Sequence, residues 1–286
     1  MGLTLCRWLC RDHTWRKKAL SSLSCSPFHP LAVTPPFRLA ILLDGPPACP
    51  TGPKSSWSPV HHSPNFCLSQ DGTVAQRSPA EQSTDGVRGA EGAQGGLHVW
   101  EVHWDPAERG SHAVLGVSTQ HCPLQASGYT ALVGGDAESW GWELGFNQLW
   151  HGGVPCGHYP REGAEQGEQE REQRPLLAVP GRMLMVLDAD AGTLGFVVDG
   201  CFLGVAVWTL PLGVQLFPAV SSVWGGSHIS LRYLNGGPRE PPSLTSLCRL
   251  SVRLSMGKDR ETPSGLEGLL LNFPPGLKRL LRNSTC

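Results

Sequence analysis

The chain has 286 residues, a formal net charge of −1 and only 16% charged residues. Such a near-neutral balance does not favour a nucleic-acid or membrane-surface binder. The 35 glycines and 25 prolines supply abundant turn chemistry, and together with many short apolar runs they favour an all-β body.

The ten cysteines are scattered singly, and the closest pair, Cys6 and Cys10, has no matching second pair. A zinc site needs matched pairs or a cysteine–histidine set, and the sequence contains neither. Scattered cysteines are typical of a reducing compartment, where cysteine serves as a small apolar residue. We therefore expect a cytosolic protein, with the nucleus as the alternative location, and no structural disulfide, metal or cofactor.

Residues 1–36 predict a variable, disordered leader, because prolines break any helix there and residues 1–18 contain no apolar run long enough for a signal peptide or membrane helix. Residues 37–43 are apolar enough to pack against the body of the domain. Residues 45–62 are rich in proline and serine and predict a loop.

The strand signals begin at residue 97. Trp100, Val102 and Trp104 alternate with polar residues, which predicts a strand with one buried face. Residues 113–117 and 183–187 are continuous apolar runs, as expected for strands covered on both sides.

The clearest local signal is a hairpin. Residues 193–198 and 201–206 flank Asp199-Gly200, a favoured two-residue turn in which both positions need a positive φ. Further strands are predicted at 216–223 and 228–234, and such a series of short strands predicts an antiparallel sandwich. Residues 161–175 interrupt the pattern with glutamates and predict a solvated insertion, with an acidic docking loop as the alternative.

The tail has a helical period. Glycines and prolines between 236 and 242 predict a hinge, after which Ser243 can cap a helix. Leu244, Leu247, Cys248 and Val252 then recur at i, i+3, i+4 and i+8, which places them on one face. A second apolar stretch, 269–281, is interrupted by two prolines, and such a short tail must pack on the sandwich or bind a partner.

Two groups of motifs now resemble a known family. Residues 187–200, LDADAGTLGFVVDG, resemble the central hairpin of a SPRY domain, and 96–102, 109–114 and 138–142 match the same domain. Residues 243–253, SLTSLCRLSVR, resemble the start of a SOCS box. In this order the motifs are similar to the SPRY domain-containing SOCS box proteins, relatives of Drosophila Gustavus, over roughly residues 37–281. The resemblance implies a bent sandwich of two antiparallel sheets, a SPRY domain at 37–238, followed by a small α-helical SOCS box at 239–286.

The resemblance also implies a function. Family members recognise substrates for a cullin-RING ubiquitin ligase, which promotes ubiquitination and proteasomal degradation of the target. Their SOCS box binds elongin C with elongin B and then cullin-5 with a RING-box protein. Their ligand is an extended peptide of the acidic-x-Asn-Asn-Asn type. Because asparagine carries both donors and acceptors, its pocket must offer both in a fixed geometry.

The family's pocket falls here on seven positions: Arg77, Pro79, Tyr129, Leu132, Val223, Trp224 and Gly225. Arg77 is the expected partner of the ligand carboxylate, Trp224 is a wall, and Gly225 lets the ligand approach the backbone. Where the family has Val-Ala, this chain has Ala80 and Glu81, and the added carboxylate would repel an acidic peptide or reshape the pocket.

The ligase contacts fall on the tail. The resemblance assigns elongin binding to Leu244, Leu247, Cys248 and Val252, and cullin binding to Leu271, Phe273 and Pro274. The family's Leu-Pro-Leu-Pro reads here with Asn272 in place of the first proline, which removes a preset extended conformation. Packing of the tail helix on its own domain is the alternative to elongin binding.

No catalytic motif is evident, so we expect a non-catalytic adaptor. His98 and His112 fall in predicted strands, where a structural role is expected. One alternative is a SPRY adaptor that binds elongins without productive cullin binding. Another is a hydrolase built on the sandwich, which would require a buried acid–base pair in a cleft.

Overall fold

The computed structural model describes residues 26–45, 47–161, 176–238, 240 and 243–255. Two antiparallel sheets pack face to face, so the prediction of an all-β sandwich is confirmed. The described residues also include three short 3-10 segments: His29–Leu31 and Pro53–Ser55 precede the first strand, and Pro106–Glu108 lies between two strands.

The first sheet has eight strands. They are β1 (Trp57–His62), β4 (Ser83–Gly89), β6 (Ala113–Ser118), β7 (Gln125–Ser127), β8 (Ser139–Glu143), β9 (Gln148–His151), β10 (Val154–His158) and β14 (Phe217–Ser222). Their order is β1-β4-β14-β6-β8-β9-β10, and β7 pairs with β4 beside this path. Strands distant in sequence are neighbours here, as in other sandwiches with crossover connections.

The second sheet has seven strands. They are β2 (Phe66–Leu68), β3 (Val74–Arg77), β5 (Leu97–Trp104), β11 (Arg182–Asp188), β12 (Thr193–Val198), β13 (Cys201–Val207) and β15 (His228–Gly237). Their order is β13-β12-β11-β5-β15-β3-β2. The predicted hairpin is confirmed: β12 and β13 are joined by Asp199 and Gly200, with φ of 49° and 75°.

The core between the sheets is aromatic. Four tryptophans are completely or almost completely buried there: Trp57, Trp100, Trp104 and Trp142. Tyr159 lies among them, donates a hydrogen bond to the Gly204 carbonyl (2.9 Å) and accepts one from the Phe196 amide (3.1 Å). Burial raises the pKa of the Tyr159 phenol, so this hydroxyl stays neutral and satisfied inside the core.

A helix, α1 (Phe37–Asp44), covers the outer face of the second sheet. Its Leu39 packs with Leu97, Val99 and Val186 in a cluster separate from the main core. Residues 100–104 of β5 alternate as predicted, but the first half of the strand is buried on both faces because α1 lies over it. The apolar segment 37–43 therefore packs on the body, as its composition predicts.

Residues 26–36 differ from the expectation of a disordered leader. Phe28 is completely buried in the main core, and the Val33 amide donates to the Phe202 carbonyl (2.7 Å). The physical reason is that β13 is an edge strand, and this segment satisfies part of its free edge. Residues 1–25 lie outside the described residues.

Two residues of the predicted hinge lie in the second sheet. Gly236 and Gly237 belong to β15 and pair with His98 and Leu97, so they are part of the sheet. A second helix, α2 (Leu244–Ser255), begins after Ser243, whose hydroxyl accepts a hydrogen bond from the Ser246 amide (3.1 Å) as predicted for a cap. The stretches 162–175 and 269–281 lie outside the described residues. In the part of the chain that is described, no helix has the length and apolarity required to cross a bilayer.

The close approach of β6 to β8 yields a stability prediction. A Cβ at Gly116 would overlap the Trp140 carbonyl oxygen and lie 2.8 Å from the Gly141 Cα, whereas a Cβ at Gly145 would meet open space. Gly116→Ala should therefore lower the unfolding free energy by about 1–3 kcal/mol, since the two strands must separate. Urea unfolding followed by tryptophan fluorescence measures this, with Gly145→Ala as the control. Equal midpoints for the two variants would contradict the described strand spacing.

Candidate functional site

Three loops converge at one end of the sandwich. We call residues 78–82, 128–132 and 223–227 together the three-loop surface. The Tyr129 hydroxyl accepts a hydrogen bond from the Gln82 amide (3.2 Å), which joins the first two loops. Gly225 lies against Pro79, because a Cβ at Gly225 would be only 2.7 Å from the Pro79 Cα, and this contact joins the first and third loops. The sequence indicates these residues, but it does not show that the three loops converge.

The backbone ties hold these loops in one geometry. The Arg77 amide donates to the Ser227 carbonyl (3.0 Å), and the Gly226 amide donates to the Arg77 carbonyl (2.7 Å). The Ser227 hydroxyl lies within hydrogen-bond distance of the carbonyls of Glu108 (2.6 Å) and Trp224 (2.9 Å), which fixes the end of the third loop. Such ties reduce the conformational freedom that a ligand would otherwise have to remove on binding.

Two large aromatic side chains are exposed on this surface. Trp224 is 51% exposed and Tyr129 is 49% exposed, while Leu132 and Val223 are buried below them. This exposure argues against a core-packing role for the two aromatics. Tryptophan and tyrosine with one apolar and one polar part are the residue types enriched at binding hot spots.

The segment beneath Trp224 is rigid. A Cβ at Gly110 would lie 2.8 Å from the Trp224 Cβ, so the indole packs directly on this glycine. The neighbouring Arg109 guanidinium donates to the carbonyls of Val179 (2.6 Å) and Trp104 (2.8 Å). Burial lowers the pKa of Arg109 to about 10, which still leaves it charged at neutral pH. Trp224 therefore packs on a segment that these hydrogen bonds hold in place.

Below the first loop lies a buried ion pair that joins the two sheets. Arg77 ends β3 of the second sheet, and Asp85 lies in β4 of the first; both side chains are completely buried. The Arg77 Nε and Nη2 donate to Asp85 Oδ2 at 2.9 and 2.8 Å. The Arg77 Nη2 also reaches the Ser83 carbonyl (2.8 Å) and the Ala80 carbonyl (3.2 Å).

The other oxygen of Asp85 is equally occupied. Its Oδ1 accepts from the Ser63 hydroxyl (2.5 Å), the Asn65 amide (2.9 Å), the Ser83 hydroxyl (3.1 Å) and the Gln125 amide (3.1 Å). A buried ion pair is tolerated when its remaining hydrogen-bonding positions are satisfied in this way. The pair and its donors therefore set the geometry of the first loop.

This network corrects the expected role of Arg77. A completely buried guanidinium that is already bonded to Asp85 cannot present its charge to a ligand carboxylate at the surface. Arg77 instead holds the loop that carries Pro79 and the exposed Glu81. The sequence analysis gave Asp85 no role, because it predicted no strand before residue 97 and so did not bring Asp85 and Arg77 together.

The tail helix presents part of the predicted elongin set to solvent. Leu244 is 76% exposed, Cys248 is exposed and Leu247 is half-buried. Leu250 is almost completely buried, and α2 contacts α1 on that side. Val252 lies in α2. The predicted cullin-binding residues lie outside the described residues: Leu271, Phe273 and Pro274.

A histidine–glutamate pair bears on the alternative that the protein is a hydrolase. His112 Nδ1 lies 2.7 Å from Glu143 Oε1, and Glu143 is buried. Among the residues that the structure describes, no hydroxyl or thiol hydrogen bonds to His112, so this pair has no nucleophile to activate. Within the same residues, no group of three histidine, cysteine or acidic side chains is arranged to hold a metal ion.

The ion pair yields the second prediction. Asp85→Asn keeps the shape but leaves Arg77 as a buried charge without its counterion, so we expect a loss of about 3 kcal/mol in unfolding free energy. Urea unfolding measures this loss. Asp71→Asn is the matched control: Asp71 is exposed in a turn, and its replacement should leave the midpoint nearly unchanged. A stable Asp85→Asn protein would show that the pair does not organise this end of the sandwich.

Comparison with known proteins agrees with this architecture. A family model of the SPRY domain matches residues 97–232. Human SPRY domain-containing SOCS box protein 1 is 45% identical over 229 residues, which cover 79% of this chain and 81% of that protein. Human SPRY domain-containing SOCS box protein 2 is 40% identical over 268 residues, 92% of this chain and 97% of that protein.

An insect protein is also similar to this chain. Protein gustavus of Drosophila melanogaster is 40% identical over 225 residues, which cover 78% of each chain. These alignments extend over most of this chain and most of each relative, and the family resemblance of the sequence motifs is confirmed. The chain therefore belongs to the SPRY domain-containing SOCS box protein family.

Proposed function

We propose that this protein is a non-catalytic substrate-recognition subunit of a cullin-RING ubiquitin ligase. The observation that carries the proposal is the three-loop surface, where exposed Trp224 and Tyr129 stand on loops fixed by buried polar contacts. Membership in a family named for a SPRY domain and a SOCS box supports the ligase role. Targets bound here would be ubiquitinated by other subunits and degraded by the proteasome, in the cytosol or the nucleus.

The ligand class follows from the chemistry of the surface. We propose an extended peptide of the acidic-x-Asn-Asn-Asn type, whose amides need both donors and acceptors. The three loops contain no lysine or arginine, Arg77 is buried, and Glu81 is exposed. The asparagine positions should therefore contribute more to affinity than the acidic position does.

Trp224 gives the direct test of the peptide site. Trp224→Ala should weaken binding of such a peptide by about 2 kcal/mol, roughly thirtyfold, because a central aromatic anchor is lost. Isothermal titration calorimetry with a synthetic acidic-x-Asn-Asn-Asn peptide measures this. Trp208→Ala is the matched control, since Trp208 is 61% exposed on the loop that follows β13. Equal affinities of the two variants would exclude the three-loop surface as the peptide site.

The ligase connection is proposed for α2. Leu244 and Cys248 are exposed on one face of a short helix, and such a face is suited to a hydrophobic groove on a partner. Elongin C with elongin B is the proposed partner, through Leu244, Leu247, Cys248 and Val252. The small Cys248 side chain would enter a tight pocket. Cullin-5 with a RING-box protein would follow through Leu271, Phe273 and Pro274.

Leu244 tests the elongin contact. Leu244→Asp should reduce co-purification of elongins B and C by at least about tenfold, because it places a charge in an apolar groove. Thr245→Asp is the control: it adds the same charge one residue later, and both positions are exposed in the first turn, where a carboxylate is compatible with the helix dipole. Peptide binding should persist in both variants. Undiminished elongin capture by Leu244→Asp would contradict the assignment.

The second candidate function is an adaptor that binds elongins without productive cullin binding. Asn272 in place of the family proline favours it. The two candidates separate when the wild-type protein is purified from cells: cullin-5 accompanies the elongins in the first case and is missing in the second.

A further inference from the structure

A histidine–glutamate pair lies on the outer face of the first sheet. Glu143 is 1% exposed; its Oε1 is 2.7 Å from His112 Nδ1, and its Oε2 accepts a hydrogen bond from Trp150 Nε1 (2.8 Å). Because the carboxylate is an acceptor at both oxygens, the tautomer of the neutral imidazole that fits this contact has its proton on Nδ1. The Nε2 atom is then left as a hydrogen-bond acceptor on a side chain that is partly exposed.

The strand register shows which way this pair faces. Val114 of β6 packs against residues 131 and 133 in a small apolar cluster on the outer face of the sheet. Glu143 is the Cα partner of Val114, and His112 precedes Val114 by two residues. Because side chains alternate along a strand and directly paired residues share a face, all three point toward the same side.

The backbone of His112 lies next to the three-loop surface. Ser222 pairs with the residue that follows His112, so the same register places Val223 opposite His112. Gly110, two residues before His112, is in contact with Trp224. The backbone of His112 is therefore close to Val223 and two residues away from the glycine on which Trp224 packs.

The segment that packs on Trp150, the hydrogen-bond donor to Glu143, is tightly fixed. A Cβ at Gly134 would lie 2.6 Å from the Trp150 Cβ, so the backbone that follows the second loop lies directly on Trp150. The Val133 amide donates to the Ser221 hydroxyl (3.2 Å), which ties the same segment to β14. A clamped acceptor of this kind costs little reorganisation when a ligand binds.

We propose that His112 is a specificity-determining residue of this site, with its Nε2 accepting a hydrogen bond from the side-chain amide of one asparagine of the bound peptide. Glu143 is the positioning residue that fixes the imidazole and adds a buried negative charge behind it. An aspartate in the same peptide position offers no amide donor and brings a like charge toward Glu143. The inference rests on the proposed peptide function and names the group that would select asparagine over aspartate.

The decisive substitution is His112→Asn. The amide nitrogen of asparagine takes roughly the place of Nδ1 and keeps the bond to Glu143, while the Nε2 end is removed. A series of labelled peptides, with an acidic residue, a spacer and three asparagines, carries single replacements of each asparagine by alanine or aspartate. For wild-type protein we expect one position where either replacement weakens binding by roughly tenfold or more. For His112→Asn that position should lose its effect, while the other two keep theirs.

Three further measurements distinguish a role of His112 in peptide selection from a general structural role. His151→Asn removes another imidazole of the same sheet, bonded to the Ser139 carbonyl at 2.8 Å, and should leave the peptide profile unchanged. Glu143→Gln should reduce the preference for asparagine over aspartate at the one coupled position only, which a merely structural role would not do. Urea unfolding of His112→Asn should match the wild type.

Failure of the proposed function and failure of the role of His112 give different results. If wild-type protein binds none of the peptides, the proposed function itself is wrong, and this inference with it. If wild-type protein binds but His112→Asn shows the same profile at all three asparagine positions, only the role of His112 is overturned. A uniform loss at every position would also overturn it, because the effect would then be general to the site.

Discussion

The ion pair between Arg77 and Asp85 is the constraint on which the site depends. It joins β3 of one sheet to β4 of the other, and its accessory donors come from the segment after β1, from β4 and from β7. A buried pair of this kind contributes little net stability because desolvation of both charges is costly. Its effect is geometric: with each group committed to named partners, the loop from residue 78 to 82 has one conformation available.

The sequence predicted the parts of the fold that local chemistry determines. Asp199-Gly200 specified its own turn, and the apolar run at 113–117 specified a buried strand. The double burial at Val99 was not predictable, because it depends on where α1 packs. For the site, loop positions were accessible through family likeness, but the direction of the Arg77 side chain was not: an arginine next to a loop looks the same in sequence whether it faces solvent or Asp85.

The end of β15 is also anchored on α1. Arg38 of α1 donates to the Pro238 carbonyl (2.9 Å) and lies 3.5 Å from Asp188. The Asn235 amide donates to the Leu42 carbonyl (2.9 Å) on the same helix. Since α2 also contacts α1, the helix proposed to bind elongins has a defined orientation relative to the body. A receptor with this construction presents its bound target to the ligase from a constant direction.

The fixed convergence of the three loops has a consequence for the proteins that they would select. A rigid receptor surface does not fold around its target, so the target must supply an already accessible, extended stretch of chain and bear the loss of its own freedom. Such a receptor would therefore not bind segments that form a helix or part of a packed sheet. It would recognise its targets through their unstructured termini and linkers. Unfolding or cleavage that exposes such a segment would turn a protein that is not bound into a target.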